Sequence, residues 1–444
     1  MKKNEGVRMM RKFFSLVMIS IFIFLMILST CSSAGKVQVI KYWYPWGGDS
    51  EKWDKWRIAE FEKDNPGYKV EATYVPEDGG IANGKLMAAI AGRNPPDLVV
   101  THDYASVYAF ATKGAFLPLD SALKDAGFKL SKMNPVFQDV MRYKGKIYLF
   151  PQDSNVNLLY YNIDLFKAAG LDPVNPPKTI NQLDACTEKL SKIVDGKIER
   201  LGFIPWLDAG EEAPFLWAYM FGSNLYDTKT NKIDLASGKV ASMLNWQKKY
   251  AQKYNPEKIK SFYSGFGGAF SPDHPFMTNK VAMTVNGNWF ANALRIYAPK
   301  INYAVAPIPA PEGGRYGGSN LGTNVFMVPK GAKNIKAAAV FMMYAGKAKI
   351  MDDNIKQWRS VTIFPDDYKN FTLVKEKDKL FQMILEIASN KNSGHVALTS
   401  VGKQMGDDLK SIRDNVIYNN VDPAKLLADE EKKLQAQVDK DAKK

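Results

Sequence analysis

Apolar positions along this chain change period several times, and each change marks an element. Residues 37 to 43 alternate as a first strand ending among Tyr42, Trp43, Tyr44 and Trp46, and Gly47 and Gly48 follow. Within 50 to 64, Trp53, Trp56, Ile58 and Phe61 fall near helical spacing, and Asn65-Pro66-Gly67 stops that helix. Residues 68 to 75 alternate as a second strand, and 81 to 91 form a short Ala-rich helix closed by Gly92. Pro95-Pro96-Asp97 then feeds an apolar run at 98 to 100, the composition of a buried parallel strand. Strand, helix, strand, helix, strand predicts an α/β domain whose ligand edge lies in the loops after its strands.

From 104 to 144 the pattern is one of loops and short helices, including the turn Leu117-Pro118-Leu119-Asp120. A strand-like run at 155 to 162 leads to a helix from Asp164 to Ala169, stopped at Gly170. Pro173, Pro176 and Pro177 form a rigid connector before a helix over 179 to 194, and the passage into a second domain is expected here. That domain is expected to hold strands near 201 to 205 and 281 to 285 and helices near 212 to 221 and 237 to 254. Residues 262 to 270, FYSGFGGAF, read as loop. The runs 303 to 309 and 324 to 330 bracket the Gly-rich segment 313 to 320 and bring the chain back toward the first domain. Residues 332 to 350 predict one Ala-rich helix, and the remainder is mostly helical, ending in a Lys/Glu-rich solvated helix and frayed tail.

Length and composition narrow the class. A chain of 444 residues is too long for one comfortable core and suits two. With 46% hydrophobic and 24% charged residues it reads as a folded soluble protein, neither disordered nor multi-spanning. The formal charge is +14, of which Lys2, Lys3, Arg8, Arg11 and Lys12 against Glu5 contribute a net +4 before Cys31. The remaining basic residues are interspersed with acidic ones. This fits weak attraction to an anionic membrane or wall surface, and it excludes the concentrated patch of a nucleic-acid groove.

Residues 13 to 28 are apolar except Ser15 and Ser20, short for a bilayer span and right for the core of a signal peptide. Leu28-Ser29-Thr30-Cys31 resembles a bacterial lipobox, departing from it at Thr30. The expectation is a signal peptide over 1 to 30, a lipidated Cys31 heading a spacer to 36, and a protein body outside the cytoplasm. Cys186 then has no partner for a disulfide and is expected as a small buried hydrophobe.

Several local patterns occur in an order that resembles a known family. They include Trp43 after the first strand, Pro96-Asp97, Gly145-Lys146-Ile147-Tyr148 with Pro151, and Tyr160-Tyr161-Asn162-Ile163-Asp164-Leu165-Phe166 leading to Ala169-Gly170-Leu171. Pro177-Lys178-Thr179, Gly287-Asn288-Trp289 and Pro329-Lys330-Gly331 follow. Together these resemble the extracellular solute-binding proteins of ABC importers, the family of maltose, oligosaccharide and glycerol-phosphate binders. The resemblance implies a two-lobe periplasmic-binding-protein-like α/β fold with crossover hinge segments, an interlobe ligand cleft and flytrap closure. It also implies delivery to permease subunits, no catalysis, no cofactor and a monomer. The lobes are expected at 37–151 with 310–358, and at 152–309 with 359–444.

Sugars present an apolar face and a rim of hydroxyls, so their sites combine flat aromatic rings with short polar side chains. The chain's nine Trp, 21 Tyr and 24 Phe supply rings in excess of what a site needs. Trp43 and Trp46 end the first strand, and Asp49 and Glu77 lie near Gly-containing loops; His102, Asp103 and Tyr104 follow the strand ending at Val100. Asp153 and Asn155 fall at the expected crossover, and Trp206, Asp208, Glu211, Glu212 and Trp217 set carboxylates between two indoles. In the second lobe Asn288 and Trp289 are candidates; further on, Gly318 and Ser319 are candidates for close backbone approach, as are Trp358 and Arg359. The three histidines are far apart and no metal-site spacing occurs. An imported oligosaccharide is the leading expectation. A glycerol-phosphate ester or other small polar solute stands second, and it would turn on Arg295, Arg315 and Arg359. A surface polysaccharide-binding protein or glycoside hydrolase, the latter needing paired carboxylates, is the remaining alternative.

Overall fold

The computed structural model describes residues 37–77, 81–207, 213–395 and 398–443. Residues 1–36, Cys31 among them, and Asp208, Glu211 and Glu212 lie outside the described residues.

Two sheets organise the chain. The first is built from β1 (Gln38–Tyr44), β2 (Tyr68–Tyr74), β3 (Leu98–Thr101) and β4 (Phe150–Asn155). The chain then enters the second sheet through β5 (Asn157–Asn162), β6 (Met283–Gly287) and β7 (Tyr303–Ala306), and returns to the first as β8 (Gly322–Met327). Strand order is β2-β1-β3-β8-β4 in the first sheet and β6-β5-β7 in the second. β1 pairs in parallel with β2 and β3, whereas β8 runs antiparallel to β3 and β4. Leu98–Thr101 is buried throughout because it sits between β1 and β8 with both faces covered.

Around these sheets pack helices α1 (Gly48–Asp64), α2 (Tyr104–Thr112), α3 (Ala213–Met220), α4 (Lys239–Tyr254), α5 (Phe290–Tyr297), α6 (Ile335–Ala345), α7 (Ala348–Trp358), α8 (Lys379–Ala388), α9 (Gly402–Tyr418) and α10 (Pro423–Ala442). Strand alternation sorts them into layers. In the first sheet Ile40, Tyr42, Leu98, Val100 and Phe326 pack with Phe61 of α1 and Phe341 of α6, while Val99, Val325 and Met327 face Tyr104 and Val107 of α2. In the second, Leu159 and Tyr161 pack with Trp217 of α3 and Met405 and Leu409 of α9; Leu158 and Tyr160 face Phe290 of α5, Ile355 of α7 and Ile384 of α8.

Several element expectations are corrected. The sheet change falls at Val156, between β4 and β5, ahead of the proline stretch at 173 to 177. The helix expected to 194 stops at Leu190, and Lys192–Val194 pairs with Lys197–Arg200 as a hairpin. Its turn is Asp195-Gly196 with φ of 49° and 72°, the tight hairpin geometry that an Asp-Gly pair favours over a helical continuation. Near 201 to 205 only Leu201 makes a bridge, to Val281. The single helix expected over 332 to 350 is two, broken where Lys347 takes an extended conformation after Gly346. The C-terminal helix is as expected, but it is not solvated all round, since Leu427, Leu434 and Val438 form one buried stripe against the second sheet's core. Cys186 is half-buried rather than fully buried, packed against that core.

Candidate functional site

A cleft of about 560 Å³ opens where the two sheets meet. Its floor is the crossover itself: Gln152, Asp153 and Asn155 from β4, Asn157 from β5, and Gly322, Thr323 and Asn324 from β8. Ser154 and Val361 exchange backbone hydrogen bonds at 2.9 and 2.7 Å, which lays a third strand of chain beside the floor.

Asp153 is the buried centre of this floor. Its carboxylate accepts from Asn324 Nδ2 at 2.7 Å, Asn354 Nδ2 at 3.1 Å and Gln152 Nε2 at 3.3 Å. Burial pushes its pKa up, against the opposing pull of those three amide donors. Gln152 in turn accepts from Arg57 Nη1 at 2.6 Å, and Arg57 Nη2 donates to the Tyr42 hydroxyl at 3.0 Å and to Asp54. Arg57 lies 4.9 Å from the centre of the Trp53 ring, and the Trp53 indole N–H donates to Asp353 at 3.0 Å. A continuous polar network therefore runs from α1 under the cleft to α7.

On the first-sheet side, Glu77 is buried and accepts from the Thr101 hydroxyl at 2.6 Å, with His102 Nδ1 at 3.6 Å from its other oxygen. Asp103 caps α2, accepting from the Ser106 N–H at 3.0 Å. Tyr104 lines the same wall, but its hydroxyl donates to the Leu321 carbonyl at 3.2 Å. Trp46 stands at the end of β1, where the strand runs out into the cleft. Trp289 and Phe270 line the cleft on the second-sheet side, and Trp358, which packs with the same first-sheet core cluster as Trp46, stands beside them. Phe270 stacks on Trp289 with ring centres 5.4 Å apart and meets Trp358 edge-on at 6.2 Å. Phe215 of α3 and the stripe of α9 line the cleft from the other face of the second sheet.

The cleft thus brings together Trp46, Glu77, His102, Asp103, Tyr104, Asp153, Asn155, Trp289 and Trp358 among the residues singled out by sequence. The other described candidates lie elsewhere. Trp43 points to the face of β1 opposite Tyr42, packs against the Val75 and Leu86 cluster, and has the Lys85 ammonium 5.5 Å over its ring. Asp49 pairs with Lys52 at 2.7 Å in the first turn of α1. Trp206 and Trp217 are core residues of the second lobe; Trp217 is 1% exposed and packs on Trp246 at 4.8 Å. Asn288 is buried and spends its amide on the crossover, accepting from Val156 N–H at 2.7 Å and donating to Asn155 Oδ1 and the Trp358 carbonyl. A Cβ at Gly318 would stand 2.3 Å from the Asn392 carbonyl, and buried Ser319 accepts from Asn157 N–H at 2.9 Å, so this pair locks chain to chain. Arg359, in the left-handed region at φ 54°, caps α7 and bonds Asp378 at 3.3 Å.

Sequence reasoning passed over Trp53, Phe215, Phe270, Asn324, Asn354 and the α9 stripe. Phe270 carried a signal, as an aromatic in a Gly-rich loop without core periodicity. The α9 stripe carried none, because its neighbours across the cleft come from the first hundred or so residues. Among the described residues no group of three His, Cys, Asp or Glu could hold a metal ion, and no helix is long and apolar enough to cross a membrane.

Four similarities to known proteins bear on this cleft. A family model for the bacterial extracellular solute-binding proteins matches residues 47–352. CpMnBP1 with mannobiose bound is similar in structure, with a TM-score of 0.81 and 32% identity over 91% of this chain and 100% of that one. CpMnBP1 with mannotriose bound gives 0.80 and 32% over 90% and 100%. The sn-glycerol-3-phosphate-binding periplasmic protein UgpB of Pectobacterium atrosepticum is 26% identical over 337 residues, which are 73% of this chain and 72% of its own.

Proposed function

Because the chain belongs to the bacterial extracellular solute-binding protein family, transport receptors that catalyse nothing, we propose that it captures a short oligosaccharide of mannose or a closely related hexose for an ABC importer. The observation that carries this reading is the composition of the cleft. Indole and phenyl rings stand on opposite sides of a floor of amides and carboxylates, which is what a sugar's apolar face and hydroxyl rim require. Trp46, Trp289 and Trp358 stack on or border the rings. Glu77, His102, Asp103, Asp153 and Asn155 meet hydroxyls, helped by Asn324 and Asn354. The mannobiose and mannotriose held by the similar protein support the choice of hexose.

An anionic ester is disfavoured by where the arginines are spent. Arg359 pairs with Asp378, Arg295 bonds Asn292, and Arg315 bonds backbone carbonyls beside the Tyr219 ring. Arg413, which lines the cleft, is held by Asp414 at 2.9 Å. The protein acts as a monomer held outside the cell by a lipidated Cys31.

Calorimetric titration against mannobiose, mannotriose, maltose and glycerol 3-phosphate tests the reading. One-to-one binding of a mannose oligomer is expected, with glycerol 3-phosphate silent. Binding of the phosphate ester alone overturns it.

A further inference from the structure

We infer that the ligand is longer than a disaccharide, with one terminal ring against the Phe270–Trp289 wall and its far units leaving the cleft along α9. The inference rests on the sugar reading above and adds length and direction to it.

The two ends of the cleft lie on opposite sides of the second sheet. Trp289 packs with the cluster that Leu158 and Tyr160 face, whereas the buried side of α9 packs with the cluster of Leu159 and Tyr161, and Phe215 bridges that cluster to the first-sheet cluster of Tyr104 and Val325. Consecutive residues of β5 point to opposite faces, so a ligand in the cleft passes over the sheet edge from one side to the other.

The first end is blunt. Phe270 covers a face of Trp289 and abuts Trp358, yet remains 44% exposed, an apolar wall turned to the cleft. The second end is open. Asp407 and Lys410 line the cleft and also a shallow depression of about 430 Å³ that continues along α9 past Ser411, Asn415 and Tyr418. These residues recur at three- and four-residue intervals, so they form one stripe of the helix. At 1.5 Å per residue the stripe runs about 12 Å from Lys410 to Tyr418, space for more than one further ring.

The chemistry of the stripe suits a neutral sugar. Lys403 pairs with Asp407 at 3.3 Å and Arg413 with Asp414 at 2.9 Å, which offsets two of its cations and leaves Lys410 as one further positive charge. Short hydroxyl and amide groups alternate with them, and the stripe ends in the half-exposed ring of Tyr418. A sugar outside the cleft would meet hydrogen-bonding groups and then the ring of Tyr418, over one face of which the Lys260 ammonium lies 5.8 Å from the centre.

The test titrates the full chain with mannose oligomers from the disaccharide to the hexasaccharide, alongside Tyr418→Ala. Affinity is expected to rise about tenfold from disaccharide to tetrasaccharide, the worth of one or two added hydrogen bonds. Tyr418→Ala should remove much of that rise and leave the disaccharide Kd unchanged. A bulky label at one terminus of the tetrasaccharide should be tolerated, and the same label at the other terminus should abolish binding. Flat affinity from the disaccharide upward, a rise untouched by Tyr418→Ala, or loss of binding with either label overturns the extension while the sugar reading stands. Silence toward every oligomer overturns both.

Discussion

The side-chain amide of Asn288 donates to Asn155 Oδ1 at 3.0 Å, tying the end of the second sheet's β6 to the end of the first sheet's β4. The same amide holds the Trp358 carbonyl at 2.8 Å, so one buried residue clasps three segments of the crossover. Asn288→Ala should leave the buried Val156 N–H and Trp358 carbonyl unpaired and cost about 2–4 kcal/mol in urea unfolding. Ligand affinity should fall only modestly, through a loosened Trp358. A hundredfold loss of affinity at unchanged stability would mean that Asn288 touches ligand instead.

Trp289 and Trp217 should separate cleft from core. Trp289→Ala removes a cleft ring whose far side is already covered, and is expected to abolish measurable sugar binding with little change in unfolding. Trp217→Ala opens a cavity in the second core and should cost about 3–5 kcal/mol while the folded fraction binds normally. Equal effects of the two variants on affinity would refute the division.

Arg57 is fully buried among the rings of Trp53, Phe326 and Phe341, with Asp54 as its ion-pair partner. Arg57→Ala strands the Asp54 carboxylate, and a loss of about 3–5 kcal/mol is expected. Combining Arg57→Met with Asp54→Asn should recover part of it, because the second change removes the uncompensated charge. A strictly additive double variant, measured by chemical denaturation, would show that the two side chains are not coupled.

His395 gives the fold a pH dependence on the acid side. Burial lowers its pKa to about 4, with Nδ1 at 3.1 Å from the Leu321 carbonyl and the Tyr104 and Phe137 rings beside it. The unfolded chain takes up this proton near the ordinary histidine value of about 6.5 and the folded chain only near 4. Stability is therefore whole above the unfolded value, declines as pH falls through that window by on the order of 3 kcal/mol, and levels off below it. Unfolding free energies taken at intervals from neutral pH to pH 4 should fall less steeply for His395→Gln. Identical slopes in the two proteins would remove His395 from the account.

How far each feature could be read before folding depended on whether its cause was local. The strand over 68 to 75, observed as Tyr68–Tyr74, and the helix over 50 to 64, observed as Gly48–Asp64, follow from periodicity and a Pro-Gly stop within a few residues. The Asp195-Gly196 turn was equally legible and was overridden by helical periodicity that ran on past its true end. α9 could be read as a helix, but its place in the cleft depends on a first-sheet wall some three hundred residues away.

By itself the sequence determined the alternation of elements, and with it the two-lobed α/β class, because period and turn chemistry act between neighbours. Which aromatics reach the cleft was decided only by tertiary structure. Trp43 and Trp46 lie three residues apart, yet the pleat turns one into the first core while the strand's end delivers the other to the opening. Trp217 and Trp289 are equally apolar, but one meets Trp246 and the other meets Phe270 at the edge of a sheet. An indole gains by burial against any well-packed surface, so only the arrangement of the surrounding faces separates a core ring from a binding wall.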